Sequence, residues 1–172
     1  MKLDSSDFEL FGLAMRFEQD PAVLSERWKA LQATAHPDRF ASEGAAAQRV
    51  AMQWSVRVNE AYQRLKDPLK RAAYLCTLHG VAIDAESNTA MPAEFLMQQM
   101  QWREALDEAA GEAAVDALAQ QVADAQRDMT GALRTLIDQQ QDWPAAAAQV
   151  RALMFVRRFA DDVARRIETL QD

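Results

Sequence analysis

Apolar residues recur along this chain at steps of three and four, the spacing that gathers them on one face of an α-helix. Val23, Leu24, Trp28, Leu31 and Ala35 form one such stripe, and Val50, Trp54, Val58, Ala61 and Leu65 a second. Val115, Leu118, Val122, Ala125, Met129, Ala132 and Leu136 follow, then Leu153, Val156, Ala160, Val163, Ile167 and Leu170. Runs of β-branched residues alternating with polar ones are absent, so no strand is predicted and the expected fold class is all-α.

Punctuation between the stripes sets the element boundaries. Ser6 to Glu9 reads as a capping box opening a short helix that Gly12 closes, and Asp20-Pro21 reads as the N-cap and first position of the next. A helix over about 44–66 follows, and Asp67-Pro68 repeats the same start signal for a short helix ending near Gly80. Four helices therefore fill residues 1–80. The polar segment 81–91 reads as a linker. Beyond it, helices are predicted over 92–109, 112–140 and 144–170, separated by Gly111 and Trp143-Pro144. Residues 92–172 thus form a three-helix bundle, whose stripes are expected to pack within the chain rather than in a coiled-coil dimer, so a monomer is expected.

Composition narrows the function classes. The net charge of -7 is unevenly shared: residues 1–80 hold 11 Lys+Arg against 10 Asp+Glu, residues 81–172 hold 8 against 16. Neither half carries a basic stripe interleaved with aromatics, which argues against nucleic acid as a partner. The single Cys76 precludes an internal disulfide, and with two histidines there is no ligand set for a structural zinc. No metal or other cofactor is expected. No apolar run approaches the ~20 residues of a membrane span, and the first residues lack the marks of a signal or transit peptide. A soluble, reducing compartment is the expected location.

The chemistry-bearing motif is His36-Pro37-Asp38, set between the two N-terminal stripes. Pro37 biases His36 away from helical dihedrals and cannot extend the preceding helix, so an imidazole and a carboxylate are left in a rigid polar loop. Taken alone, the pair reads better as a local hydrogen-bonded turn than as a recognition site. An acid–base dyad would need a nucleophile, a phosphate cradle or a second carboxylate aimed at the same place, and the sequence supplies none, so no enzymatic activity is expected. Phe40, Trp28, Trp54, Tyr62 and Tyr74 read as core or core-edge packing, and Cys76 as a small buried hydrophobe.

The motif does not stand alone. DFELFGL at 7–13, HPDRFAS at 36–42, LKDPLKRAAYL at 65–75 followed by CTLHG, and EFLMQQMQWREALDE at 94–108 accompany it. Four helices with His-Pro-Asp between the second and third resemble the J domain, and the full set resembles one J-protein family, HscB, the co-chaperone of iron–sulfur cluster assembly. The resemblance covers nearly the whole chain. It implies that His36, Pro37 and Asp38, with a basic face from Arg27, Lys29 and Arg39, contact a dedicated HscA-type Hsp70 and stimulate its ATPase. It also implies delivery of an IscU-type scaffold protein in a bacterial-type cytoplasm. A J-domain co-chaperone or helical adaptor with a different client is the alternative.

The helix at 92–109 carries two apolar faces where packing needs one. At about 100° per residue, Phe95, Trp102, Leu106 and Ala109 share one stripe, and Leu96, Met97, Met100 and Glu104 lie opposite. Phe155 falls roughly 110° from the centre of its own helix's core stripe and is expected to be exposed. The resemblance places the scaffold on the matching segment, so Leu96, Met97, Met100, Glu104 and Phe155 are the expected client patch.

Overall fold

The computed structural model describes residues 2–172, and all regular structure among them is helical. The chain divides into two compact units, the first reaching Leu75 and the second running Cys76–Asp172. The first unit contains α1 (Asp7–Phe11), α2 (Pro21–Ala35), a 3-10 helix (Pro37–Phe40), α3 (Ala45–Lys66) and most of α4 (Pro68–Leu78).

Local chemistry starts these helices where the sequence signals stand. At α1, Glu9 N–H donates to Ser6 Oγ at 3.2 Å, and Ser6 N–H donates to the Glu9 carboxylate at 2.9 Å. The helix closes at Gly12, whose φ of 62° is a left-handed value that disfavours any side chain. Asp20 accepts from Ala22 N–H at 2.8 Å ahead of Pro21, and Asp67 accepts from Leu69 N–H at 2.9 Å ahead of Pro68.

In the first unit α2 packs along α3, with α1 set against both. Phe8, Phe11, Leu24, Val58, Ala61, Leu65, Ala72 and Leu75 are buried. At the edge, Trp28 stacks on Tyr62 with centroids 4.8 Å apart and donates from Nε1 to Asn59. Asp7 is fully buried, and Arg57 reaches it at 2.7 Å. Buried Arg71 donates to the carbonyls of Phe17 at 2.5 Å and Leu65 at 2.6 Å. The second stripe needs one correction: Val50 is 53% exposed and Ala51 takes the buried line, while Trp54 is only half-buried. Val50 instead lines a half-open cavity shared with Thr34 and Ala35, the last residues of α2.

The second unit is built from α5 (Ala93–Glu108), α6 (Glu112–Arg134) and α7 (Trp143–Gln171). Phe95 and Trp102 of α5, Val115, Leu118 and Val122 of α6, and Ala152, Val156, Phe159 and Val163 of α7 make one buried cluster. The helix expected over 112–140 is α-helical only to Arg134. Thr135–Gln139 is a π-helical turn, in which Gln140 N–H donates to Thr135 O at 2.9 Å. Ala132 is exposed and Leu133 is buried in its place, since both flank the stripe and the larger side chain gains more by leaving water. Leu170, assigned to the core stripe, is exposed in the last turn of α7, beyond the buried cluster that ends at Val163.

The segment 81–91 is fastened to its own unit. Buried Arg151 of α7 donates to Ala90 O at 2.7 Å and Ile83 O at 3.0 Å. Sequence reasoning saw a polar linker here because the groups that hold it are backbone carbonyls, which no residue pattern displays.

Candidate functional site: an exposed turn and an apolar groove

His36 ends α2 in an extended conformation, and Pro37 begins the 3-10 helix in the next position. The expected loop is thus a short helical turn, which satisfies backbone groups that a loop would leave to water: Arg39 N–H donates to His36 O at 3.1 Å. Asp38 N–H donates to His36 Nδ1 at 3.3 Å, so a neutral ring carries its proton on Nε2. The Asp38 carboxylate lies 3.6 Å from the same Nδ1 and is 92% exposed, while His36 is 55% exposed. The turn therefore offers an exposed carboxylate and an imidazole on a backbone fixed by Pro37.

The three basic residues assigned to this face differ in their engagement. Arg27 donates to Phe11 O at 3.0 Å and Gly12 O at 3.4 Å, the open carbonyl end of α1. Arg39 donates to Ala33 O at 2.8 Å, tying the 3-10 turn back to the end of α2. Lys29 is exposed, and no hydrogen bond or ion pair engages its ammonium among the described residues. Arg27 and Arg39 thus frame the turn as well as charging it.

On the second unit, Leu96, Met97 and Met100 stand on the outer side of α5, with Met97 67% and Met100 71% exposed. Glu104 is exposed one turn beyond. Phe155 departs from expectation in being half-buried: its ring meets Phe95 edge-on at 5.8 Å and stacks on Phe159 at 6.2 Å. Helical angle alone misplaced it, because large aromatics of α5 and α7 reach around to cover one of its faces. It still opens with Met100, Glu104 and Asp107 into a groove of about 640 Å³. Leu96 and Met97 lie on the same helix but outside that groove's lining.

Arg103 is the groove residue that sequence reasoning passed over. Its guanidinium sits 5.2 Å from the Phe159 ring centre and 6.0 Å from that of Phe155, and it reaches Asp162 at 3.5 Å. Its place three residues after Met100 was the available signal. Among the described residues no group of three or more His, Cys, Asp or Glu side chains is placed to hold a metal ion. None of their helices is long and apolar enough to cross a membrane.

Comparison with known proteins bears on the family and the fold. A family described as the HSCB C-terminal oligomerisation domain matches residues 91–164. A co-chaperone protein HscB homologue of Bordetella petrii is 53% identical over 91% of this chain and 93% of its own length. One from Burkholderia multivorans is 49% identical over 99% of each. Among solved structures, the chaperone HscB of Vibrio cholerae superposes with a TM-score of 0.82 at 39% identity, covering 96% of this chain and 99% of its own. Human co-chaperone HscB gives 0.83 at 28% identity, over 98% and 83%. An all-α chain with a four-helix J-domain arrangement, a C-terminal helical bundle and relatives of this identity along nearly its full length belongs to the HscB co-chaperone family.

Proposed function

We propose that this protein binds an HscA-type Hsp70 through His36, Pro37 and Asp38, stimulates its ATPase, and delivers to it an IscU-type iron–sulfur scaffold protein for cluster transfer. The J domain spans residues 1–80, and residues 92–172 hold the scaffold. The observation that carries the reading is the almost fully exposed Asp38 carboxylate on a turn held rigid by Pro37 and Arg39. Such a carboxylate forms a charge-assisted pair with an arginine of the chaperone without having to be ordered first. Lys29, exposed on α2, adds an attractive charge for an acidic chaperone surface.

The scaffold reading rests on a separate feature, the methionine-rich outer face of α5 beside Phe155. Flexible thioethers adapt to a partner's surface, and the acids Glu104 and Asp107 bordering the groove select a basic rim. The protein acts in the cytoplasm and is not itself an enzyme. The test is a steady-state ATPase assay with a cognate Hsp70. The protein is expected to raise the rate, and the scaffold to raise it further; no stimulation in either condition contradicts the reading.

A further inference from the structure

A half-open cavity of about 430 Å³ adjoins the His36-Pro37-Asp38 turn. Ala35 and Phe40, which flank the turn in sequence, form part of its wall, and Ala47, Val50, Ala51 and Trp54 of α3 form another part. Its volume falls within the range of about 300–1,000 Å³ typical of ligand-binding clefts. Three alanines stand in the wall, and no larger side chain fills the space between them. Val50, whose side chain helps line the cavity, is 53% exposed. Wall atoms facing a void or loosely held water forgo dispersion contacts that an entering apolar group would restore.

The surroundings specify what enters. Glu43 belongs to the same wall, and Asp38 lies in the adjoining turn with its carboxylate in solvent. An apolar cleft beside two carboxylates complements an apolar side chain that has a basic residue next to it. We propose that this cavity is a second contact point for the Hsp70-type chaperone, taking one of its apolar side chains while a neighbouring cation of the same segment pairs with Asp38 or Glu43. The inference rests on the reading of the His36-Pro37-Asp38 turn as the chaperone contact and adds a pocket to it.

Filling the cavity separates this role from a packing defect. Ala47→Leu, on a helix position where leucine is well tolerated, places an apolar side chain in the space. If the cavity receives the chaperone, the variant has a higher thermal midpoint than the parent protein, yet its stimulation of Hsp70 ATPase falls about tenfold, the loss expected on excluding one apolar side chain. A variant that is more stable and stimulates normally overturns the proposal. Should Ala47→Leu destabilise the fold, Ala35→Leu fills the cavity from the opposite wall with the same two readouts. If both destabilise, the fluorescence of Trp54 in the unaltered protein decides. A blue shift on adding chaperone, absent from the Trp54→Phe protein, supports occupancy, and no shift overturns it. Asp38→Asn runs in parallel. If it stimulates normally, the chaperone reading itself fails; if it is inactive while a stably filled cavity stimulates normally, only the pocket fails.

Discussion

Arg64 grips Asp7 with two parallel hydrogen bonds, Nε to Oδ2 at 2.5 Å and Nη2 to Oδ1 at 3.1 Å, across 57 positions of sequence. The contact fastens α1 to α3, and the hydrogen bond that Arg64 donates to the Asp7 carboxylate holds the guanidinium above its ordinary pKa despite the opposing effect of partial burial. Arg57 approaches the same carboxylate at 2.7 Å. Asp7→Ala leaves two guanidinium groups without their shared acid, and is expected to destabilise the first unit by about 3 kcal/mol. Chemical denaturation followed by circular dichroism measures this. A change below about 1 kcal/mol, the size of an exposed surface pair, contradicts it.

The bond of Arg151 to Ala90 and Ile83 makes a prediction of similar kind for the second unit. Arg151→Gln removes charge-assisted hydrogen bonds to two carbonyls and is expected to lower stability by about 3 kcal/mol. Amide exchange should quicken across residues 83–90 before it quickens in α5 or α7. Uniform acceleration along the chain contradicts a local clip.

Cys76 is fully buried, and burial pushes its thiol from 9.0 up to about 11, partly countered by the positive charge of Arg151. Because the folded value is raised, the native state favours the protonated thiol. That contribution to stability is complete below pH 9, where neither state ionises, and is lost as pH rises from about 9 to about 11. At pH 8 the native thiolate fraction is about a hundredfold below that of a free cysteine. Iodoacetamide should therefore label Cys76 rapidly only in denaturant, and equal labelling of folded and unfolded protein contradicts the assignment.

The helix starts were legible because each depends on one or two adjacent residues: Ser6 with Glu9, Asp20 with Pro21, and Asp67 with Pro68. Features that depend on what a distant element presents were not. The π turn at Thr135–Gln139 packs against α7, and no residue pattern displays it. Val50 followed the stripe yet lines a half-open cavity at the end of α2 and is exposed. At the candidate sites, the His36-Pro37-Asp38 motif and the outer row of α5 stood in the sequence as contiguous or single-helix patterns. The cover over Phe155, the packing of the Arg103 guanidinium on Phe159 and the anchoring of Arg27 by α1 carbonyls join residues from separate helices, and helical periodicity carries no information about them.

For the client surface, Leu96→Ala/Met97→Ala/Met100→Ala removes three side chains that contribute little to the core because all are exposed. Thermal stability should stay within about 1 kcal/mol of the parent. Scaffold binding should weaken by at least about thirtyfold, the effect of losing about 2 kcal/mol at an interface hot spot. Calorimetric titration with purified scaffold protein reads this directly, and undiminished affinity contradicts the patch.

Under the proposed function, Asp38 is the group through which this protein acts on its chaperone. Asp38→Asn keeps the size and the backbone turn but removes the charge, and with 92% of the side chain exposed its loss leaves the fold untouched. The decisive measurement is single-turnover ATP hydrolysis by a cognate Hsp70 with the Asp38→Asn protein, alongside its circular dichroism spectrum. Hydrolysis at the unstimulated rate with unchanged helical content is the predicted result, and full stimulation by a folded Asp38→Asn protein contradicts it.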